Sequence, residues 1–109
     1  MTIHIEDLKF QCIIGILDFE RTTPQDVIIN LTIEYNYKNN FINYADVVEI
    51  IKKTMIKSEF FLIEDALESL NLKLIKEYKA IKSINLKITK PSILPDCKVS
   101  VSNYCKSQS

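Results

Sequence analysis

Residues 27–37 constrain the fold more than any other stretch of this chain. Val27, Ile29, Leu31, Ile33 and Tyr35 alternate with Ile28, Asn30, Thr32, Glu34 and Asn36. Successive side chains of a strand point to opposite faces. The run therefore predicts a strand with one apolar and one largely polar face, the mark of an antiparallel sheet covered on one side only. Two later segments repeat the pattern. Ile84, Leu86 and Ile88 alternate with Ser83, Asn85, Lys87 and Thr89, and Cys97, Val99 and Val101 alternate with Lys98, Ser100 and Ser102. Residues 3–14 read as a strand that changes phase once: Ile3 and Ile5 share one parity, and Leu8, Phe10, Cys12 and Ile14 the other. A bulge near Glu6-Asp7 would turn both sets toward one core.

The middle of the chain changes period. Asn43 is placed to cap a helix, with Asp46 three residues later in capping-box position. Val47, Ile50, Ile51 and Met55 then form an apolar stripe to about residue 57. A second helix is predicted over residues 63–78. Ile63, Leu67, Leu70 and Leu74 form its buried face, Glu64 and Asp65 lie in its first turn, and Lys73 and Lys76 lie near its negative end. Residues 15–25 read as a connection broken by Pro24, residues 38–43 as a short polar linker, Pro91 and Pro95 as loop markers, and residues 106–109 as a frayed tail. The order is strand, strand, helix, helix, strand, strand. It predicts one α+β domain over residues 1–109, a ββααββ four-stranded antiparallel sheet with both helices on one face. The other face, with Asn30, Thr32, Glu34, Asn85, Lys87, Ser100 and Ser102, should meet water. Such a sheet also has two edges to protect, so subunits joining edge to edge into an oligomeric barrel are expected.

Composition narrows the partners. Fourteen basic and fourteen acidic residues cancel, which argues against nucleic acid or an anionic membrane, both of which need a basic field. No apolar run is long enough to span a bilayer and the N-terminus has no signal-peptide layout, so a cytoplasmic protein is expected. Cys12, Cys97 and Cys105 form no C-x-x-C pair. Reduced thiols are expected, with Cys12 and Cys97 buried on apolar strand phases. One histidine, His4, with scattered cysteines does not make the ligand set of a zinc site. The single glycine, Gly15, rules out phosphate-binding loops and dinucleotide fingerprints, which need several.

Chain direction indicates which residues meet. The first hairpin turn carries Glu20, Arg21 and Gln25. The first helix starts at the far end of the sheet with Tyr44 and returns, so the second starts near that turn with Glu64. The third strand comes back to the same end at Lys90, in the parity of Ile84, Leu86 and Ile88. Glu20, Glu64 and Lys90 should converge, and Tyr44 should not. A carboxylate at a helix start, beside unpaired backbone N–H groups, suits a flat heterocycle with an amidine edge, such as guanine or a pterin. A purely structural ion-pair cluster would use the same residues.

Four segments then carry a resemblance. Ile14-Gly15-Ile16-Leu17-Asp18-Phe19-Glu20-Arg21 with Pro24-Gln25, Asn43-Tyr44-Ala45-Asp46-Val47, Phe61-Leu62-Ile63-Glu64 and Ile88-Thr89-Lys90-Pro91 resemble, in this order, signatures of bacterial dihydroneopterin aldolases. The resemblance implies the tunnelling fold (T-fold), tetramers stacked into octamers, and active sites between neighbouring subunits. It implies a carbon–carbon lyase of folate biosynthesis that cleaves 7,8-dihydroneopterin without metal, Schiff base or other cofactor. By position, Lys90, Tyr44 and Glu20 would be catalytic. Lys90 would be the acid/base centre, its neutral form made accessible by burial or by another cation; Tyr44 would relay a proton from a neighbouring subunit; and Glu20 would position and polarise Lys90 and its water. Glu64, with backbone at Leu62 and Ile63, would bind the pterin, and Gln25 falls at a pocket position. Two departures stand out: Ile14 replaces a histidine common in the family, and the linker before Tyr44 is short. A related enzyme, the dihydroneopterin triphosphate 2′-epimerase, would want cations for the triphosphate, with Arg21, Lys98 and Lys106 as candidates. A non-catalytic pterin- or purine-binding oligomer is the third reading.

Overall fold

The computed structural model describes residues 1–38 and 40–107. Four strands, β1 (Thr2–Cys12), β2 (Gln25–Tyr35), β3 (Ile81–Lys90) and β4 (Val99–Lys106), form one antiparallel sheet in the order β1-β2-β3-β4. Two long helices, α2 (Tyr44–Ser58) and α3 (Ile63–Glu77), cover one face. A short helix, α1 (Asp18–Thr22), lies in the first connection. The ββααββ order follows the alternation and helical stripes read above. Helix α1 does not, because five residues are too few to show a period.

The bulge in β1 falls where the parity changes. Ile5 pairs with Leu31 and Leu8 with Ile29, with the register shifting between them. Asp7 absorbs the extra residue at φ 56, in the left-handed region that Asp tolerates better than most residues. Its N–H donates to Asn30 Oδ1 at 2.8 Å. Ile3, Ile5, Leu8 and Phe10 therefore all pack on the core side. Asn43 caps α2 as expected, its side-chain oxygen accepting from the Ala45 N–H at 2.9 Å. Ile51 and Met55 on α2, Leu67, Leu70 and Leu74 on α3, and Ile29, Ile33, Ile84 and Ile88 on the sheet are fully buried. Burying one such side chain contributes about 1.5–3 kcal/mol.

Several boundaries differ from the sequence reading: β1 ends at Cys12 rather than Ile14, and β2 runs from Gln25 to Tyr35 rather than from Val27 to Tyr37. β3 begins at Ile81 because a second irregularity, between Glu34 and Tyr35, lets both Ile81 and Ile84 face the core. Cys97 was expected on a buried strand phase but is exposed and precedes β4. β3 ends at Lys90, whose partner is Val99, so no strand lies opposite residue 97. Lys106 belongs to β4, opposite Ser83, rather than to a frayed tail. Asn39 of the expected linker and Gln108 and Ser109 of the expected tail lie outside the described residues. The second face of the sheet is polar, with Glu34, Asn85, Lys87, Ser100 and Ser102 exposed. No helix among the described residues is long and apolar enough to cross a membrane.

Candidate functional site

The site is built from the one glycine outward. After β1 the chain passes the buried Ile14 and turns at Gly15, whose φ of +129° is a conformation that L side chains rarely adopt. A Cβ built on Gly15 would fall onto the Glu20 carboxyl group. The missing side chain thus makes the space in which Glu20 is buried, at 3% exposure. The Leu17 N–H donates to Glu20 Oε1 at 3.2 Å, and Lys90 Nζ donates to Oε2 at 2.8 Å. Gln25, the first residue of β2, donates from Nε2 to both Glu20 Oε2 and the Ile14 carbonyl, each at 2.8 Å. Lys90 is itself buried, at 8% exposure, on the last residue of β3.

Burial pushes the Glu20 carboxyl up, but the hydrogen bonds from Lys90, Gln25 and the Leu17 N–H, with the Lys90 charge, outweigh it and hold the group below the ordinary carboxylate range. Of the burial or second cation expected at Lys90, the structure shows the burial, and the partner of its ammonium is a carboxylate. Cys12 stands opposite Gln25 in the β1–β2 ladder. Burial pushes its thiol up to about 11, with the Lys90 charge acting in the opposite sense, so it is a neutral wall of the site.

The start of α3 comes to the same end of the sheet. The Gly15 N–H donates to the Phe60 carbonyl at 3.0 Å, and the Arg21 guanidinium donates to the carbonyls of Gly15, Glu59 and Phe60. Two residues past Phe60, Leu62 is extended and opens α3 with no side-chain cap. The first N–H groups of the helix are therefore left for water or a ligand. Ile63 turns its side chain into the core and Leu62 is about half exposed. Glu64 is exposed and, among the described residues, its carboxylate makes no hydrogen bond or ion pair. A carboxylate beside unpaired N–H groups offers acceptors and donors on one edge, the complement of an amidine-bearing ring.

Tyr44 lies elsewhere. It opens α2, 67% exposed, and the 15-residue helix sets it about 21 Å from the turn at Glu59. Thus Glu20, Gln25 and Lys90 are in direct contact, Leu62, Ile63 and Glu64 are tied to them through Arg21 and Gly15, and Tyr44 is remote within the chain. Of the three cations considered for a triphosphate, Arg21 is committed to backbone carbonyls, which corrects that expectation. Lys106 stands at the opposite end of β4 from Val99, the partner of Lys90. Lys98 is exposed beside Val99. An open groove of about 330 Å³ among His4, Asn30, Asn85 and Lys87 belongs to the polar face of the sheet, away from Lys90.

Known proteins share this fold. A dihydroneopterin triphosphate 2′-epimerase of Pseudomonas aeruginosa is 30% identical over 100 residues, covering 84% of this chain and 80% of the relative. The structure superposes on Escherichia coli dihydroneopterin aldolase in complex with neopterin with a TM-score of 0.85 at 20% identity, over 95% of this chain and 97% of that one. It also superposes on a Burkholderia dihydroneopterin aldolase bound to guanine with a TM-score of 0.79 at 15% identity, over 98% and 91%. The FolB family model, dihydroneopterin aldolase, matches residues 3–103, and the chain belongs to that family.

Proposed function

We propose that the protein cleaves 7,8-dihydroneopterin by a retro-aldol reaction, giving 6-hydroxymethyl-7,8-dihydropterin and glycolaldehyde in the cytoplasm. The observation that carries this reading is the buried Lys90–Glu20 pair at 2.8 Å, at the same end of the sheet as the uncapped start of α3. Glu64 accepts from the pterin N3–H and 2-amino group, and the backbone at Leu62 and Ile63 completes that edge. In its neutral form, and acting through water, Lys90 takes the proton of the side-chain 2′-hydroxyl. The C1′–C2′ bond breaks, C2′ becomes the aldehyde carbon of glycolaldehyde, and the electron pair left on C1′ delocalises into the C6=N5 imine of the substrate. Return of a proton to C1′ completes the hydroxymethyl product. The proton balance closes without oxidant, and the substrate's own imine is the electron sink, so no cofactor enters.

Glu20 holds Lys90 in place and Gln25 orients Glu20, since the amide donates to its carboxylate. Tyr44 reaches the pair from a neighbouring copy, in a barrel closed by pairing the exposed edges β1 and β4. Tetramers, or octamers of two stacked rings, are the expected assemblies.

The 30% identity to an epimerase favours one second reading. Re-addition of the C1′ carbanion to the other face of the aldehyde would invert C2′ with the same residues. Incubation with 7,8-dihydroneopterin and, separately, its triphosphate, both with EDTA, separates the readings. Glycolaldehyde and the hydroxymethyl pterin support the aldolase. A 2′-epimer formed only from the triphosphate supports the epimerase. Binding of neopterin by an intact oligomer with no turnover of either substrate would leave a non-catalytic pterin-binding protein.

A further inference from the structure

The two halves of the candidate site come from separate stretches of chain. Glu20, Gln25 and Lys90 form one half, and the turn that opens α3 carries the other. Arg21 joins them. Its Nη1 donates to the Gly15 carbonyl at 3.1 Å and the Phe60 carbonyl at 3.2 Å, and its Nη2 to the Glu59 carbonyl at 2.9 Å. The guanidinium carbon lies 3.7 Å from the centroid of the Phe61 ring, within cation–π range. Glu59 has a φ of 46°, a left-handed conformation uncommon for a residue other than glycine. Such a turn persists only where its surroundings hold it, and Arg21 supplies donors to the carbonyls on both sides of the Glu59–Phe60 link. Arg21 is also the next residue after Glu20, so the clamp and the carboxylate share one short helix.

We propose that Arg21 is a positioning residue: it holds the turn at residues 59–62, and with it Glu64 on α3, at a fixed offset from the Lys90–Glu20 pair. The kinetic consequence rests on the function proposed above; the structural consequence does not. A rigid ring gripped at Glu64 presents its side chain to Lys90 correctly only if that offset is kept. A misplacement of about 1 Å costs on the order of 100-fold in rate. Lysine cannot replace the clamp, because a single ammonium lacks the planar fork that reaches several carbonyls while stacking on a ring.

Two amides report the clamp without any ligand: Gly15 N–H, bonded to the Phe60 carbonyl, and Ala66 N–H, bonded to the Leu62 carbonyl. In Arg21→Ala, hydrogen exchange at Gly15 should accelerate by about tenfold or more, while amides at the centre of β2 and β3 keep their wild-type rates. The same variant should lose about 100-fold in kcat/KM with an unchanged pH profile, since Glu20 and Lys90 remain paired. Methylguanidinium added to Arg21→Ala should restore part of the activity, and Arg21→Lys should resemble Arg21→Ala. If Arg21→Ala does not fold, Arg21→Lys carries both measurements. Unchanged exchange at Gly15, or accelerated exchange with unchanged kcat/KM, would overturn the proposal. So would a loss that shifts the pH profile and resists methylguanidinium. Wild-type protein inactive on dihydroneopterin and its triphosphate would sink the proposed function, while the exchange at Gly15 still decides whether the clamp exists.

Discussion

Replacing Glu20 by Gln keeps the shape of the side chain and removes its charge. The amide can still accept from the Leu17 N–H, but Lys90, 8% exposed, loses the carboxylate that accepts its hydrogen bond at 2.8 Å. Its ammonium then stays buried against a neutral partner or forces water into the core. Breaking a buried pair from one side costs about 3–5 kcal/mol, a large fraction of the 5–15 kcal/mol that holds a typical domain together. The sign of the pH dependence follows from the same pair. The folded-state pKa of Glu20 is depressed, so its contribution is present above the unfolded carboxylate value and is lost as pH falls through the folded one. Urea unfolding at fixed protein concentration measures both effects. Wild type should exceed Glu20→Gln by about 3–5 kcal/mol at pH 7, with the gap narrowing as the solution is acidified. Lys90→Met should remove most of the penalty when added to Glu20→Gln, because the uncompensated charge goes with it. Equal stability of wild type and Glu20→Gln at pH 7, or a double variant as unstable as the two single changes summed, would refute the reasoning.

Other consequences follow from the same geometry. Gly15→Ala should cost stability and most of the activity, because the new methyl group competes with the Glu20 carboxyl at a φ of +129°; retained activity by steady-state assay would contradict that packing. Lys90→Ala should abolish turnover yet keep measurable neopterin binding, whereas Glu64→Ala should lose binding by calorimetry; full activity in either variant removes that residue from its role. Mixing inactive Tyr44→Phe and Lys90→Ala oligomers after partial denaturation should regain some activity if sites form between copies, and no recovery in verified mixed oligomers would place Tyr44 outside the site. Cys97 is exposed, whereas burial pushes the Cys12 thiol up to about 11. A thiol reagent at pH 8 should therefore modify Cys97 quickly and Cys12 only on unfolding, as peptide mapping would reveal.

The legible parts of this fold are those written as periodicity. The strict alternation of residues 27–35 forecast β2, and the single change of parity after Ile5 forecast the bulge that the structure places at Asp7. Periodicity also misled at Cys97, where the alternation continues past the end of the pairing and cannot say where a partner strand stops. Chain direction was enough to bring Glu20 and Lys90 together across the sheet, because strand and helix lengths are nearly fixed per residue. The embrace of Glu20 by Gln25 was not legible, since it depends on the turn made at Gly15 and on α1, which has no periodic signature. Arg21 drew notice as a residue of the first turn and as a candidate cation for a triphosphate, not as a clamp. Its actual acceptors are main-chain carbonyls, which every residue carries and no sequence distinguishes.

The central claim is that C1′–C2′ cleavage leaves an electron pair on C1′, with Lys90 managing the protons. Turnover of 7,8-dihydroneopterin in deuterium oxide, with the pterin product read by mass spectrometry and NMR, tests it most directly. The account predicts one deuterium on the hydroxymethyl carbon in the product of the wild-type protein and no product from Lys90→Ala. A hydroxymethyl pterin without solvent hydrogen at that carbon, or undiminished turnover by Lys90→Ala, would contradict it.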